Sequence, residues 1–172
     1  MRFNPDIHNR QSIRLQNYDY ASGGAYYVTL CSKNRDSIFS RIHVGAGLAP
    51  AQVELTAIGK IIDKNWRNIH NEYANIDIDE FIIMPNHLHG ILFKRATARV
   101  APTLGQIIGK FKSKCSTEYL KYIYENNIND IAQIWQRNYY EHIIRNEISF
   151  HKISEYIINN PKNWNKDDFF ND

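Results

Sequence analysis

The stretch ANIDIDEFIIMPNHLHGILFK, residues 74–94, decides the fold because it predicts two adjacent antiparallel strands. Its first half alternates polar and apolar residues and then becomes fully apolar, which is typical of a strand that enters the centre of a sheet. Pro85 and Asn86 interrupt the apolar run, and the returning strand begins at His87. Residues two apart in a strand point to the same face, so His87 and His89 are expected side by side.

Two side-by-side imidazoles suit a metal ion, but the pattern His-x-His is too short to be specific. On its own it favours two ordinary polar residues at the mouth of a hairpin. A metal site would need further ligands from another part of the chain.

The segments around this hairpin predict a mixture of helices and strands. A strand is predicted over residues 25–31, which are rich in aromatic and β-branched side chains. A helix is predicted after Thr56, where apolar residues recur three and four apart. A second long helix is predicted over residues 104–125, one or two short strands over residues 132–144, and a last helix from about Asn146.

The predicted order is strand, helix, strand, strand, helix, strand, helix. This order fits an α+β fold with a split βαβ arrangement, in which a ferredoxin-like antiparallel sheet has helices packed on one face and a C-terminal helix follows. The length of 172 residues suits a single domain over residues 1–172. Within it, residues 1–20 are expected to form a basic arm and residues 44–52 a flexible loop.

Composition limits the class of protein and its surroundings. An apolar content of 43% with 13% aromatic residues is typical of a folded globular chain. The net charge of +3, which the acidic end KDDFFND lowers, permits a polyanionic partner without demanding one. Cys31 and Cys115 are far apart in the sequence, so no disulfide is expected. With no signal peptide and no membrane-spanning run, we expect a cytoplasmic protein, which a DNA partner would make nucleoid-associated.

A second polar pair lies on the last predicted helix. Tyr156 and Asn160 are four residues apart, so they share one face of that helix. A packed aromatic residue and a helix-end asparagine would explain them simply. If they meet His87 and His89 in space, however, two imidazoles and an amide oxygen form a three-ligand metal site beside a tyrosine, which can act as a covalent nucleophile. Attack on a DNA phosphodiester would keep the bond energy in a phosphotyrosine link, so rejoining would need no ATP.

Further residues indicate a nucleic-acid partner more weakly. Lys110, Lys112 and Lys114 of the second long helix could neutralise phosphates. Arg137 lies among aromatic residues in the stretch WQRNYYEH, as in surfaces that stack single-stranded bases. A packed sheet edge and a solvated helix face explain these residues equally well.

The remaining histidines are not predicted to bind the metal. His142 is interpreted as a buried, hydrogen-bonded histidine or as a residue that supports a ligand. The others have no partner at a useful spacing and are predicted at the surface: His8, His43, His70 and His151.

In this order, the motifs resemble the REP-associated tyrosine transposases, which belong to the single-tyrosine HUH (insertion-sequence-200-like) transposases. His87-Leu88-His89, after MPN, resembles the pattern of His, bulky hydrophobic residue, His. The stretch IWQRNYYEHIIRNE resembles the family's block after the second helix, and YYVTLCSKNR resembles its first strand. The stretch EYIINNP resembles the closing helix that carries the nucleophile. The resemblance covers most of residues 20–164, although VGAGLAPAQ matches no pattern of the family.

The resemblance implies roles for individual residues. Tyr156 becomes the nucleophile, His87 and His89 become metal ligands, and Asn160 becomes the third ligand. The implied cofactor is a divalent metal, Mg²⁺ or Mn²⁺, and imidazole ligands favour Mn²⁺ in binding.

The resemblance also implies the substrate and its partners. The implied reaction is DNA transposition, with metal-dependent cleavage and rejoining of single-stranded DNA next to REP-like hairpins through a covalent 5′-phosphotyrosine intermediate. Arg10 and Arg14 of the basic arm are predicted to contact bases beside the hairpin. A monomer is expected, with a homodimer as the alternative.

Two other functions stay open at this point. One is a domesticated protein that binds hairpin DNA without transposing it. The other is a metal phosphodiesterase that uses water and leaves Tyr156 as a packing residue.

Overall fold

The structure is a computed structural model that describes residues 23–43, 51–96 and 102–170. The predicted basic arm with Arg10 and Arg14, and residues 44–50 of the predicted loop, lie outside the described residues. The strands are β1 (Gly24–Cys31), β2 (Ser40–His43), β3 (Gln52–Leu55), β4 (Ile76–Ile83), β5 (His87–Lys94) and β6 (Tyr140–Ile144). The helices are α1 (Ala57–Arg67), α2 (Ile69–Glu72), α3 (Leu104–Glu125) and α4 (Glu147–Asn159), with 3₁₀ turns at Lys33–Arg35 and Pro161–Lys166. None of these described helices is both long and apolar enough to cross a membrane.

Four strands form one antiparallel sheet in the order β4-β5-β1-β6. The hairpin predicted from residues 74–94 is therefore present as β4 and β5, and β5 pairs with β1 in the centre of the sheet. This is the strand order of the ferredoxin-like arrangement, so the predicted fold is confirmed.

One face of the sheet carries the main hydrophobic core. Alternate residues of β1 and β5 point to this face, and α1 and α3 pack over them. Its fully buried members include Tyr26, Leu30, Leu88, Ile62 and Ile107. The two long predicted helices thus share one face, as expected.

The opposite face is covered by α4, which packs mainly against β4 and β5. A smaller cluster of Ile91, Ile144 and Ile157 anchors the helix there. The C-terminal helix is therefore separated from the other helices by the sheet, and its tyrosine lies on the same side of the sheet as the histidine pair.

Both of the predicted helix starts are capped by a side chain. The Thr56 side chain accepts a hydrogen bond from the Gly59 amide at 3.1 Å, and α1 begins at the next residue. The Asn146 side chain accepts one from the Ser149 amide at 2.8 Å, and α4 begins at Glu147. Both side chains satisfy amide groups that the first turn of a helix leaves unpaired.

Two local features differ from the predictions. A separate hairpin of β2 and β3 was not predicted, because each strand has only four residues and a signal that short is weak. Gln52, assigned to the flexible loop, is the first residue of β3. The segment 132–144 agrees with its prediction of one or two short strands, since it holds one strand, β6, and Trp135 forms an isolated bridge to Ser32.

We predict that Gly59→Ala destabilises the protein although alanine favours helices. A Cβ atom at Gly59 would lie 2.0 Å from the carbonyl oxygen of Phe39. That oxygen also accepts a hydrogen bond from the Thr56 amide at 3.1 Å, so the Phe39 carbonyl cannot easily move away. The free energy of unfolding should fall by about 1–3 kcal/mol, measured by denaturant titration.

Gly109→Ala is the matched control within α3. A Cβ atom there meets nothing within 4 Å, so helix propensity should raise stability by about 0.5–1 kcal/mol. A stability gain in both variants would contradict the close approach of α1 to Phe39.

Candidate active site

The two predicted histidines lie side by side on the face that α4 covers. In the β1–β5 register His87 is opposite Cys31 and His89 is opposite Thr29. The two imidazole rings are 4.3 Å apart between centroids. Their exposed fractions are 0% and 1%, so both rings are removed from water.

Neighbouring side chains engage the Nδ1 atom of each ring. The Tyr27 hydroxyl lies 2.7 Å and the Thr29 hydroxyl 2.9 Å from His89 Nδ1. Asn86 Oδ1 lies 2.8 Å from His87 Nδ1, and since an amide oxygen can only accept, His87 Nδ1 is the donor. The lone pair of His87 is therefore on Nε2, and this buried atom has no hydrogen-bond partner among the described residues.

Burial also controls the charge of the two rings. It lowers the pKa of His87 to about 3, with a smaller contribution from the positive charge of Arg35. Burial lowers the pKa of His89 well below its ordinary value, and the neighbouring His87 adds to the effect. Both imidazoles are neutral at neutral pH, which is the form that binds a metal ion.

Tyr156 projects from α4 towards the histidine pair. Its hydroxyl is 3.3 Å from His89 Nε2 and donates to Asp167 Oδ2 at 3.1 Å. The side chain is 45% exposed, so it is not a core packing residue. Partial burial raises the pKa of Tyr156 above its ordinary value, and the negative charge of Asp167 raises it further.

Asn160 lies one turn after Tyr156, at the end of α4, and is 2% exposed. Its side-chain amide donates to Asp167 Oδ2 at 2.7 Å. Its oxygen, Oδ1, is buried and has no hydrogen-bond partner among the described residues. The structure places this predicted ligand beside the site, and its role as a metal ligand stays a prediction.

Asp167 is a site residue that the sequence analysis missed, since the acidic end was considered only for its charge. One ring nitrogen of each histidine and a carboxylate oxygen of Asp167 lie within 4.8 Å of one another. Asp167 is seven residues beyond Asn160, and the helical spacing is interrupted at Pro161, where a 3₁₀ turn begins. Hydrophobic periodicity could not have found Asp167. The only signal in the sequence was a carboxylate shortly after the helix that carries Tyr156 and Asn160.

The residues present fit a divalent metal ion. Two neutral imidazoles and a carboxylate are a common donor set for such ions. The unpaired His87 Nε2 and Asn160 Oδ1 also fit, because buried polar atoms without a partner are costly unless a ligand satisfies them.

The C-terminal segment covers the histidine pair. The ring of Phe169 lies 4.7 Å from that of His87 and 6.0 Å from that of His89, between centroids. The Phe169 carbonyl accepts a hydrogen bond from the Asn86 side-chain amide at 2.6 Å. The Arg35 guanidinium lies 5.1 Å from the centre of the Phe169 ring. These contacts account for the low exposure of both imidazoles.

The other described residues that were predicted to bind DNA make their contacts with groups outside the histidine pair. Lys110 and Lys114 pair with Glu72 on the side of the sheet that α1 and α3 cover. Lys112 donates to the carbonyls of Gln136 and Asn138 at 2.9 and 3.0 Å, so it holds the segment before β6. Arg137 is exposed in that segment. DNA binding by these four basic residues stays a prediction.

The prediction that His142 is buried is wrong. It is exposed on the edge strand β6, where it lies opposite Tyr27, because α4 covers this face of the sheet mainly over β4 and β5. The predicted surface positions of the described histidines are confirmed for His43, His70 and His151. His8 lies outside the described residues.

The chain is similar to known proteins in sequence and in fold. Residues 21–160 match the family Y1_Tnp, described as "Transposase IS200 like". An uncharacterized protein of Haemophilus influenzae is 38% identical over an alignment of 189 positions, which covers 99% of this chain and 98% of that protein. A REP-associated tyrosine transposase, solved bound to a REP hairpin, has a TM-score of 0.53 and 16% identity, covering 88% of this chain and 74% of its own.

The structural likeness independently supports the fold, while the sequence match spans both histidines, the tyrosine and the asparagine of the site. The chain belongs to the IS200-like transposase family.

Proposed function

We propose that this protein cleaves and rejoins single-stranded DNA through a covalent 5′-phosphotyrosine intermediate at hairpin-flanked, REP-like sites. Tyr156 is the nucleophile, and the metal site contains His87 and His89. The observation that carries the proposal is the 3.3 Å distance between the Tyr156 hydroxyl and His89 Nε2. A partly exposed phenol lies beside a buried pair of imidazoles, which supports this assignment.

The donor groups around the tyrosine support metal-dependent chemistry. A bound divalent ion would polarise a phosphate oxygen as a Lewis acid. The imidazoles of His87 and His89 would hold it, together with the Asp167 carboxylate or the Asn160 amide oxygen. Asn86, Tyr27 and Thr29 keep the rings oriented through their Nδ1 atoms, which favours binding through Nε2.

The tyrosine supplies the covalent step. The Tyr156 oxygen forms a bond to phosphorus as the bond from phosphorus to the 3′ oxygen of the DNA breaks. The phenol proton is formally transferred to the released 3′ oxygen, which becomes a 3′ hydroxyl, so one phosphodiester is exchanged for another. Since no bond energy is lost to hydrolysis, the reverse attack by a 3′ hydroxyl rejoins DNA without a nucleotide cofactor.

Two observations support the substrate and the oligomeric state proposed here. The related transposase of similar fold was solved with a REP hairpin bound, which favours hairpin DNA as the substrate class. His87, His89 and Tyr156 meet within one chain, so a monomer contains the whole constellation.

The proposal predicts that Tyr156→Phe abolishes the covalent adduct. Phenylalanine has no oxygen to attack phosphorus, so cleavage of a labelled single-stranded hairpin oligonucleotide with Mn²⁺ should fall by at least about 100-fold. Adduct formation is followed on denaturing gels. Tyr124→Phe, at a tyrosine that is 85% exposed on α3, is the matched control.

An adduct that persists in Tyr156→Phe would contradict the assignment. Cleavage by the wild-type protein without any adduct would indicate a phosphodiesterase that uses water. Tight hairpin binding with no cleavage would indicate a domesticated binding protein.

A second prediction concerns the histidine that the Asn86 side chain orients. His87→Ala should abolish Mn²⁺ binding measured by calorimetry, and Asn86→Ala should weaken it by about 10- to 100-fold. His151→Ala, at an exposed position of α4, should bind like the wild type. Unchanged Mn²⁺ affinity in His87→Ala would rule out this metal site.

A third prediction separates the two candidates for the remaining ligand. If Asp167 binds the ion, Asp167→Asn should lower Mn²⁺ affinity by about tenfold or more, because the negative charge is lost. Asp168→Asn is the control at an exposed neighbouring carboxylate. A loss in Asn160→Ala but not in Asp167→Asn would assign the third ligand to the amide instead.

A further inference from the structure

The sheet face that carries the histidine pair is only partly covered. The helix α4 lies over β4 and β5, whereas β6 forms the opposite edge of the sheet. Tyr140 and His142 of β6 lie opposite Thr29 and Tyr27 in the register, so their side chains share the face of the site. Tyr140 is 55% exposed.

The exposed ring of Tyr140 is connected to the site by one side chain. It meets the ring of Tyr27 edge-on, with centroids 6.3 Å apart and planes at 71°. The hydroxyl of Tyr27 in turn contacts His89 Nδ1 at 2.7 Å. An uncovered aromatic surface therefore begins within two side chains of the candidate metal ligand.

A groove of about 470 Å³ runs beside this ring. Its walls include Thr29, Arg35, Gln136, Asn138, Tyr140 and Phe169. Its volume lies within the range of about 300–1,000 Å³ that is typical of small-molecule sites. Two wall residues also contact the histidine pair, since Thr29 bonds to His89 and Phe169 packs on His87, so the groove opens onto the site.

Hydrogen bonds from the backbone of the wall residues hold the groove in shape. The Gln136 amide donates to the Cys31 carbonyl at 3.0 Å, which ties the segment before β6 to the end of β1. Lys112 bonds from behind to the carbonyls of Gln136 and Asn138. On the other wall Arg35 has a positive φ of 63°, an uncommon backbone conformation for a residue with a side chain that often marks functional sites.

We propose that this groove binds the unpaired nucleotide next to the scissile phosphate, with its base stacked on Tyr140. This inference rests on the proposed function and names a subsite for its substrate. An exposed aromatic ring on the open face of an antiparallel sheet is a stacking platform for unpaired bases. The guanidinium of Arg35 and the amides of Gln136 and Asn138 suit the phosphate and the polar edges of a nucleotide.

Stacking on Tyr140 requires a base that is not paired in a duplex. The ligand is therefore single-stranded DNA that continues from the cleavage point, and not the stem of a hairpin. Because every base has an aromatic face, the subsite should tolerate different bases.

The test measures binding without cleavage. A fluorescein-labelled 12-nucleotide oligothymidylate is titrated with full-length protein in EDTA, and anisotropy gives the dissociation constant. Tyr140→Ala should weaken binding about tenfold, whereas Tyr140→Phe, which keeps the ring, should bind within twofold of the wild type. Tyr124→Ala, at an exposed tyrosine on the opposite side of the sheet, should change nothing.

Two further measurements distinguish stacking from a loss of structure or charge. Tyr140→Leu keeps an apolar residue on the edge strand without an aromatic ring, so it should lose affinity as Tyr140→Ala does. The slope of log affinity against log salt should be the same in all four Tyr140 proteins, including the wild type, because no phosphate contact is removed. Equal affinities of the wild type, Tyr140→Ala and Tyr140→Leu, or no measurable binding by any of them, would overturn the proposal.

The outcome is separable from that of the proposed function. Adduct formation through Tyr156 with unchanged binding in Tyr140→Ala would overturn the nucleotide subsite alone. If the wild type never forms an adduct but Tyr140→Ala binds tenfold more weakly than the wild type, the proposed chemistry is overturned and the single-stranded DNA subsite is kept.

Discussion

The pairing of β1 with β5 is the constraint on which the rest of the structure depends. This register sets Thr29 opposite His89 and Cys31 opposite His87, and it sends both imidazoles to one face of the sheet. A shift of one residue would exchange the two faces, so that the histidines would enter the core of α1 and α3 and the leucines of β5 would face α4. The hydrophobic pattern of β5, with Leu88 and Leu92 fully buried on the core side, makes that shift very costly.

The two faces of the sheet serve different purposes for this reason. The core face is closely packed, to the degree that a Cβ atom at Gly90 would lie 2.5 Å from the Trp66 ring. The other face buries polar groups, which is costly unless each finds a partner. Most do: His87 pairs with Asn86, His89 with two hydroxyls, and Asp167 with Tyr156 and Asn160. Among the described residues, the buried atoms without a hydrogen-bond partner include His87 Nε2 and Asn160 Oδ1, which both lie at the candidate metal site.

The tyrosine is held beside this site by the packing of α4 and by the segment after it. Ile157 anchors the helix on the sheet, and Tyr156 and Asn160, on an adjacent stripe of the same helix, are turned towards the histidines. Beyond Pro161 the chain folds back, so that Asp167 contacts both residues and Phe169 covers the imidazoles. The proposed nucleophile, the candidate metal ligands and their cover thus come from three parts of one chain, and a nearby groove lies beside the exposed ring of Tyr140 on β6.

The sequence by itself determined the secondary structure elements, because these depend on residues that are close together along the chain. The alternation in β4 and β5, the helix starts near Thr56 and Asn146, and the order of elements were enough for the ferredoxin-like sheet, since periodicity and helix-start signals are local. The short β2–β3 hairpin, the exposure of His142 on an edge strand and the site position of Asp167 were decided only by the tertiary structure. Each depends on which distant segments meet, and the free energy of such contacts is not encoded in the spacing of residues along the chain.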